Sequence, residues 1–368
     1  MLTSLAEELT NSKHPSEDRV SQAIQCIQEA LELFQRCLLL QELHYTESEE
    51  EAKQLEAQSP QGDIHYEEET QEEDDNVENT REPQEQWAAI VEPVTKNTLV
   101  DTAVAQLETL TTLCNLLTFN PGIGLAWVEE YPHDLLEAKI AAYVDGSERR
   151  YEASLAYAKY ASALNEVLYR SERIEVETYF GEIARVFGPD LDLSQDPEGL
   201  CVKADALTSF NSAVADLPPV HDPEAFKGSL TLRWQSLSSA LDALTAASRL
   251  RNAENLSTIH LGRGDAEMHR WRLGFSPWDF PTAQQNAPTL LRNAQTYYRG
   301  AAALAKRDGA ADDHRDGTCK EALAAALAGQ KDKVVQLKAT AANDLLGVAG
   351  DMVDDALVSS TDMEALLS

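Results

Sequence analysis

Residues 206–219 read ALTSFNSAVADLPP. Ala206, Phe210 and Ala213 stand at i, i+4 and i+7, which is one side of a helix, and Pro218-Pro219 stops that helix. Small residues let a second helix come close, and the aromatic ring between them fills the groove. The spacing recurs at Ala30-Phe34-Cys37, Ala156-Tyr160-Ala163 and Ala294-Tyr298-Ala301. Helices that repeat such a face bury it by stacking on one another. The expectation is an all-α chain of antiparallel helical hairpins.

Working outward, apolar residues recur at three- and four-residue steps almost everywhere. Alternating strand-like runs of Val, Ile, Thr and aromatics are absent. The first predicted helix opens near Ser16-Glu17-Asp18. It runs through Val20, Ile24, Ile27, Ala30, Leu31, Phe34, Leu38 and Leu39 to about Leu55, before Ser59-Pro60-Gln61-Gly62. A second stripe, Leu99 to Leu117, ends at Asn120-Pro121-Gly122. Residues 123–144 read as a helix that Pro132 kinks or splits. Further helices are expected over 147–170, 173–187, 196–217, 223–251 and 253–273. Residues 275–288 read as a proline-containing aromatic connector, and helices follow at 289–307, 317–329 and 331–358. That makes about 11 helices.

Residues 62–86 break this pattern. They hold 11 acidic side chains, among them Asp63, Glu67, Glu68, Glu69, Glu72, Glu73, Asp74, Asp75 and Glu78, against the single cation Arg81. A segment with so little to bury does not offset its ordering entropy, so it is expected to be disordered. The predicted organisation is an N-terminal long helix in 1–61, the acidic insertion in 62–86, a helical body in 87–358 and a tail in 359–368.

The whole chain carries 63 acidic against 30 basic residues, a net charge of −33 over 368 residues. Such a field repels nucleic acid and attracts basic proteins. The charge is uneven: residues 1–100 hold 24 acidic and 6 basic residues, and 224–340 hold 12 and 16. No run of about 18 apolar residues exists to span a membrane. The N-terminus has neither the basic start nor the apolar core of a secretory signal. Five scattered cysteines, Cys26, Cys37, Cys114, Cys201 and Cys319, fit a reducing compartment rather than a disulfide framework.

The small-aromatic-small spacing, with Pro218 twelve residues after Ala206, resembles the second-helix signature of tetratricopeptide repeats (TPR). The first-helix Trp-Leu-Gly-Tyr pattern does not precede it, and no 34-residue period emerges. The resemblance therefore covers degenerate, TPR-like hairpins. It implies a superhelix that binds other proteins. An acid-rich loop inside such an array is similar in concept to the interrupted-TPR histone chaperones of the NASP family. That resemblance implies shielding of a basic client and carries over no individual residue.

The densest stretch is HRWRLGFSPWDFP, residues 269–281. Arg270, Trp271, Arg272 and Trp278 are candidate groove or connector anchors, because Arg and Trp supply much binding energy at interfaces. Aromatics of this kind also pin a connector to its neighbours, and that plainer role is weighted about two to one over binding. Asp265 and His269 share a helix side at i, i+4, a spacing for a salt-bridged pair or for a base with its orienting carboxylate. Phosphate-loop, nucleophile-elbow and zinc-peptidase motifs are absent. The expectation is a monomeric, non-enzymatic protein of the cytoplasm or nucleus, without cofactor or metal, membrane or nucleic-acid partner. It would serve as adaptor or escort chaperone for a basic client such as a ribosomal protein or histone. The alternative is a scaffold that holds a helical partner through apolar contacts, the insertion serving only solubility.

Overall fold

The computed structural model describes residues 2–10, 16–58, 93–118, 122–145 and 148–368. Every regular element among them is a helix. In chain order they are α1 (Leu2–Thr10), α2 (Glu17–Gln58), α3 (Lys96–Leu117), α4 (Gly122–Glu130), α5 (His133–Tyr143), α6 (Arg150–Arg170), α7 (Val176–Val186) and α8 (Pro197–Asp216). Then follow α9 (Pro223–Ala247), α10 (Leu256–Arg272), α11 (Pro281–Asp308), α12 (Ala311–Leu327), α13 (Asp332–Thr340), α14 (Ala342–Asp354) and α15 (Ser360–Leu367). Most contacts join a helix to the next one or two in the chain: α1 on α2, α2 on α3, α8 on α9, α9 on α10, α10 on α11 and α11 on α12. This is the neighbour-to-neighbour packing of a helical repeat. The acidic insertion at 62–86, with all nine of its candidate carboxylates, lies outside the described residues, as do Ser59–Gln61, Trp87 and Asn120-Pro121.

Local chemistry explains the boundaries. Thr95 caps α3 by accepting from the Thr98 backbone N–H at 3.3 Å, and the Thr98 hydroxyl accepts in return at 3.2 Å. Asp196-Pro197 and Asp222-Pro223 open α8 and α9: the aspartate accepts free amides, and proline at the first position gives up an amide that had no partner there. Pro132 does split the 123–144 stretch, standing just before α5. The connector is shorter than the sequence suggested. Pro281 starts α11 because its fixed φ suits the first turn, and Pro288 sits exposed within the helix. The final long stretch divides into α13 and α14 at Ala341, and residues 359–368 carry α15, capped by Ser359. Helix α1 was not expected at all.

Three large apolar cores follow one another along the chain, and a small fourth joins α9 to the start of α11. The first draws on α1 to α6, the second on α6 to α10 and the third on α10 to α15. Two helices are shared walls: α6 gives Ala156 and Tyr160 to one core and Ala158 and Tyr169 to the next. Likewise α10 gives Ile259 to the second core and Met268 and Trp271 to the third. The small-aromatic-small faces at 156–163 and 294–301 are wholly buried, and in α8 Phe210 and Ala213 are. The fourth fails: on α2, Cys37 is exposed and Phe34 only half-buried. Leu39, expected in the buried stripe, is also exposed, because one residue of advance past Leu38 turns it about 100° away.

Candidate protein-binding site

The HRWR stretch closes α10, and each side chain in it takes a different direction. Arg270 points back to α9 and lies 4.2 Å over the Trp234 ring. Its Nη1 donates to Glu267 at 3.0 Å, and Glu267 also accepts from Asn293 at 2.8 Å. Burial raises the Glu267 carboxyl above its ordinary pKa, against the pull of Asn293 and Arg270. Trp271 turns to the other side, into the third core, and meets Phe275 with ring centroids 4.6 Å apart. Burial works against the charge of Arg272, and Asp362 and Asp279 favour it.

The connector 273–280 is held tightly on α9. Leu273 is fully buried with Leu230, Leu237 and Ala283. Trp278 stacks on Phe226 at 6.0 Å, and Phe280 leans on Trp234 at 5.9 Å. Arg233 lies 4.3 Å over Trp278 and donates to Asn211 at 2.9 Å. Arg233 is 4% exposed, and burial, followed by nearby Arg272, depresses its pKa. The sequence reading missed Arg233 and Trp234. The signal was present: Arg-Trp occurs at 233–234 and again at 270–271. Arg233 and Trp234 of the first pair and Arg270 of the second lock the connector between α9 and α10. Of the four candidate anchors, Arg270 and Trp278 serve that lock and Trp271 does not share their side.

Trp271 and Phe275 instead open onto a cavity of about 600 Å³ between α10, α11, α12 and α15. Leu291, Leu327 and Pro288 continue its apolar wall, with Arg292 and Asp362 at the edge. Phe275 is 39% exposed there. A cleft of this size, mostly apolar with a few charged groups, can seat a side chain from another protein.

The Asp265–His269 pair does not converge with Arg270. Asp265 accepts from the Tyr298 hydroxyl at 2.7 Å and from Lys320 at 2.8 and 3.0 Å. Burial pushes His269 down to about 4, so it is neutral near pH 7. Burial also pushes the thiols up, Cys114 to about 12 and Cys201 and Cys319 to about 11, which keeps them protonated. Among the described residues no group of three or more His, Cys, Asp or Glu side chains is placed to hold a metal ion. No helix among them is long and apolar enough to cross a membrane. No protein-family model, curated protein or solved structure matches the chain.

Proposed function

We propose that the chain is an adaptor or escort chaperone for a basic client protein, of the chemistry of a ribosomal protein or a histone. The stacked helices grip one client segment, and the carboxylates of residues 62–86 screen the rest of its charge and speed encounter. The observation that carries the reading is the charge: 63 acidic against 30 basic residues, with 11 of the acidic ones in that one segment. The fate of the C-terminal cations supports it. Lys320 is held by Asp265, Arg270 by Glu267, Arg299 and Lys333 by Glu321, and Arg315 by Asp312 and Asp316. Local pairing of this kind offsets part of the positive charge of residues 224–340.

The test is affinity capture from lysate with mass spectrometry at about 0.1 M and about 1 M salt, where the Debye length falls from about 10 Å to about 3 Å. The full chain is compared with one whose acidic residues at 62–86 are replaced by Asn and Gln. A dominant basic protein, lost with salt and with neutralisation, supports the reading. The cavity at Trp271 and Phe275 favours the second reading, a scaffold with apolar docking. A neutral partner that survives both changes would establish that reading and sink the first.

A further inference from the structure

Between residues 33 and 43, helix α2 leaves four leucines in solvent. Leu33, Leu39, Leu40 and Leu43 are 55%, 56%, 59% and 51% exposed, while Ala23, Ile27, Leu31 and Leu38 of the same helix are buried. At about 100° per residue the two sets fall on opposite sides. Single exposed leucines are ordinary, but four together on one side form a patch about 15 Å long. Charge brackets it. Glu29 and Glu32 precede the patch on that side, and Glu47, Glu50 and Glu51 follow it, all exposed. Arg36 is the one Lys or Arg between Glu29 and Glu51, and it faces Glu32 at 3.8 Å.

This bracketing selects the occupant. A second copy of α2 laid parallel sets Glu29 against Glu29; laid antiparallel, it sets Glu29 and Glu32 against Glu47, Glu50 and Glu51. Both orientations repel. The chain's own apolar run Trp87–Val91 is flanked by Glu82, Glu85 and Glu92 and meets the same repulsion. We propose that this side of α2 docks an amphipathic helix of a basic protein, apolar over roughly three turns with Lys or Arg at both ends. The inference rests on the basic-client reading and adds to it a docking surface remote from the α10 connector, with its own specificity.

The test uses two synthetic helical peptides with the same leucine stripe, one ended by lysines and one by glutamates. Binding to the full chain is read by fluorescence anisotropy. The lysine-ended peptide is expected to bind, and the glutamate-ended one at least tenfold more weakly. Leu33→Ser/Leu40→Ser/Leu43→Ser should weaken the first peptide at least tenfold. These side chains are more than half exposed, and an unchanged circular dichroism spectrum checks the fold. A second variant, Glu29→Gln/Glu32→Gln/Glu47→Gln/Glu50→Gln/Glu51→Gln, should erase the preference between peptides while keeping the leucines. Unchanged binding in the leucine variant, or equal binding of both peptides to the wild type, overturns the proposal. So does a dimer that the leucine variant dissociates, or binding that appears only in a Trp87→Ser/Ile90→Ser chain. If lysate capture yields no basic client while the peptides behave as expected, the client reading fails and the docking surface stands.

Discussion

Two glycines of this chain sit inside helices for opposite reasons, and the same substitution should separate them. Gly317 lies in α12 against the backbone of α11. A Cβ there would stand 2.8 Å from the Ala302 nitrogen and 3.0 Å from the Tyr298 carbonyl oxygen. Backbone atoms cannot swing aside, so α11 and α12 would have to part. Gly347 lies in α14 with nothing within 4 Å of the same position. Gly347→Ala should therefore show only the helix-propensity gain, about 1 kcal/mol. Gly317→Ala receives the same gain but adds a buried methyl to a filled space, which costs about 1–3 kcal/mol. The propensity gain cancels between them. The two variants should differ by about 1–3 kcal/mol, Gly347→Ala being the more stable. Urea unfolding followed by circular dichroism reads the difference directly. If Gly317→Ala proves as stable as Gly347→Ala, close approach of α11 and α12 does not hold the C-terminal helices together, and the packing argument falls.

Other outcomes follow from the buried polar groups. His269 sits well below its ordinary pKa, so the unfolded chain takes up a proton more readily than the folded one. Stability is then full above about pH 6.5 and falls as pH drops toward about 4; near pH 5 the loss from this residue is about 2 kcal/mol. Denaturation monitored by tryptophan fluorescence should show that slope, and His269→Gln should flatten it. Asp265→Asn removes the counter-charge of Lys320 and should cost about 2–3 kcal/mol, with recovery in Asp265→Asn/Lys320→Met; urea midpoints check both. Asn211→Ala takes away the acceptor of the buried Arg233 and should cost about 2 kcal/mol, measured the same way.

Much of the fold could be read from the chain because its signals are local. Asp-Pro pairs, the Pro132 break and three- and four-residue apolar steps depend only on near neighbours, and the helices they mark are present. What escaped was set by distant partners. No local rule says that Cys37 and Leu39 face outward while Leu38 faces in; that depends on where α3 lies. The break at Ala341 has no proline or glycine to announce it. At the candidate site the Arg-Trp stretch at 270–271 stood out, but its use did not. Arg270 and Trp278 are occupied by Trp234 and Arg233, which come from a helix some forty residues earlier. The exposed side of α2 was in plain view as Leu33, Leu39, Leu40 and Leu43, yet its meaning required knowing that no described helix covers it.

The shared walls α6 and α10 bear on how the protein is made. A chain leaves the ribosome N-terminus first. The first core needs nothing beyond α6 among the described residues, so it can close before α7 to α15 have emerged. The second needs only α10, and the third waits for α15. Each new core is then laid against a wall already standing. The chain need not be exposed all at once as one large unpacked hydrophobic surface, and the nascent protein can settle in three instalments at the pace of translation.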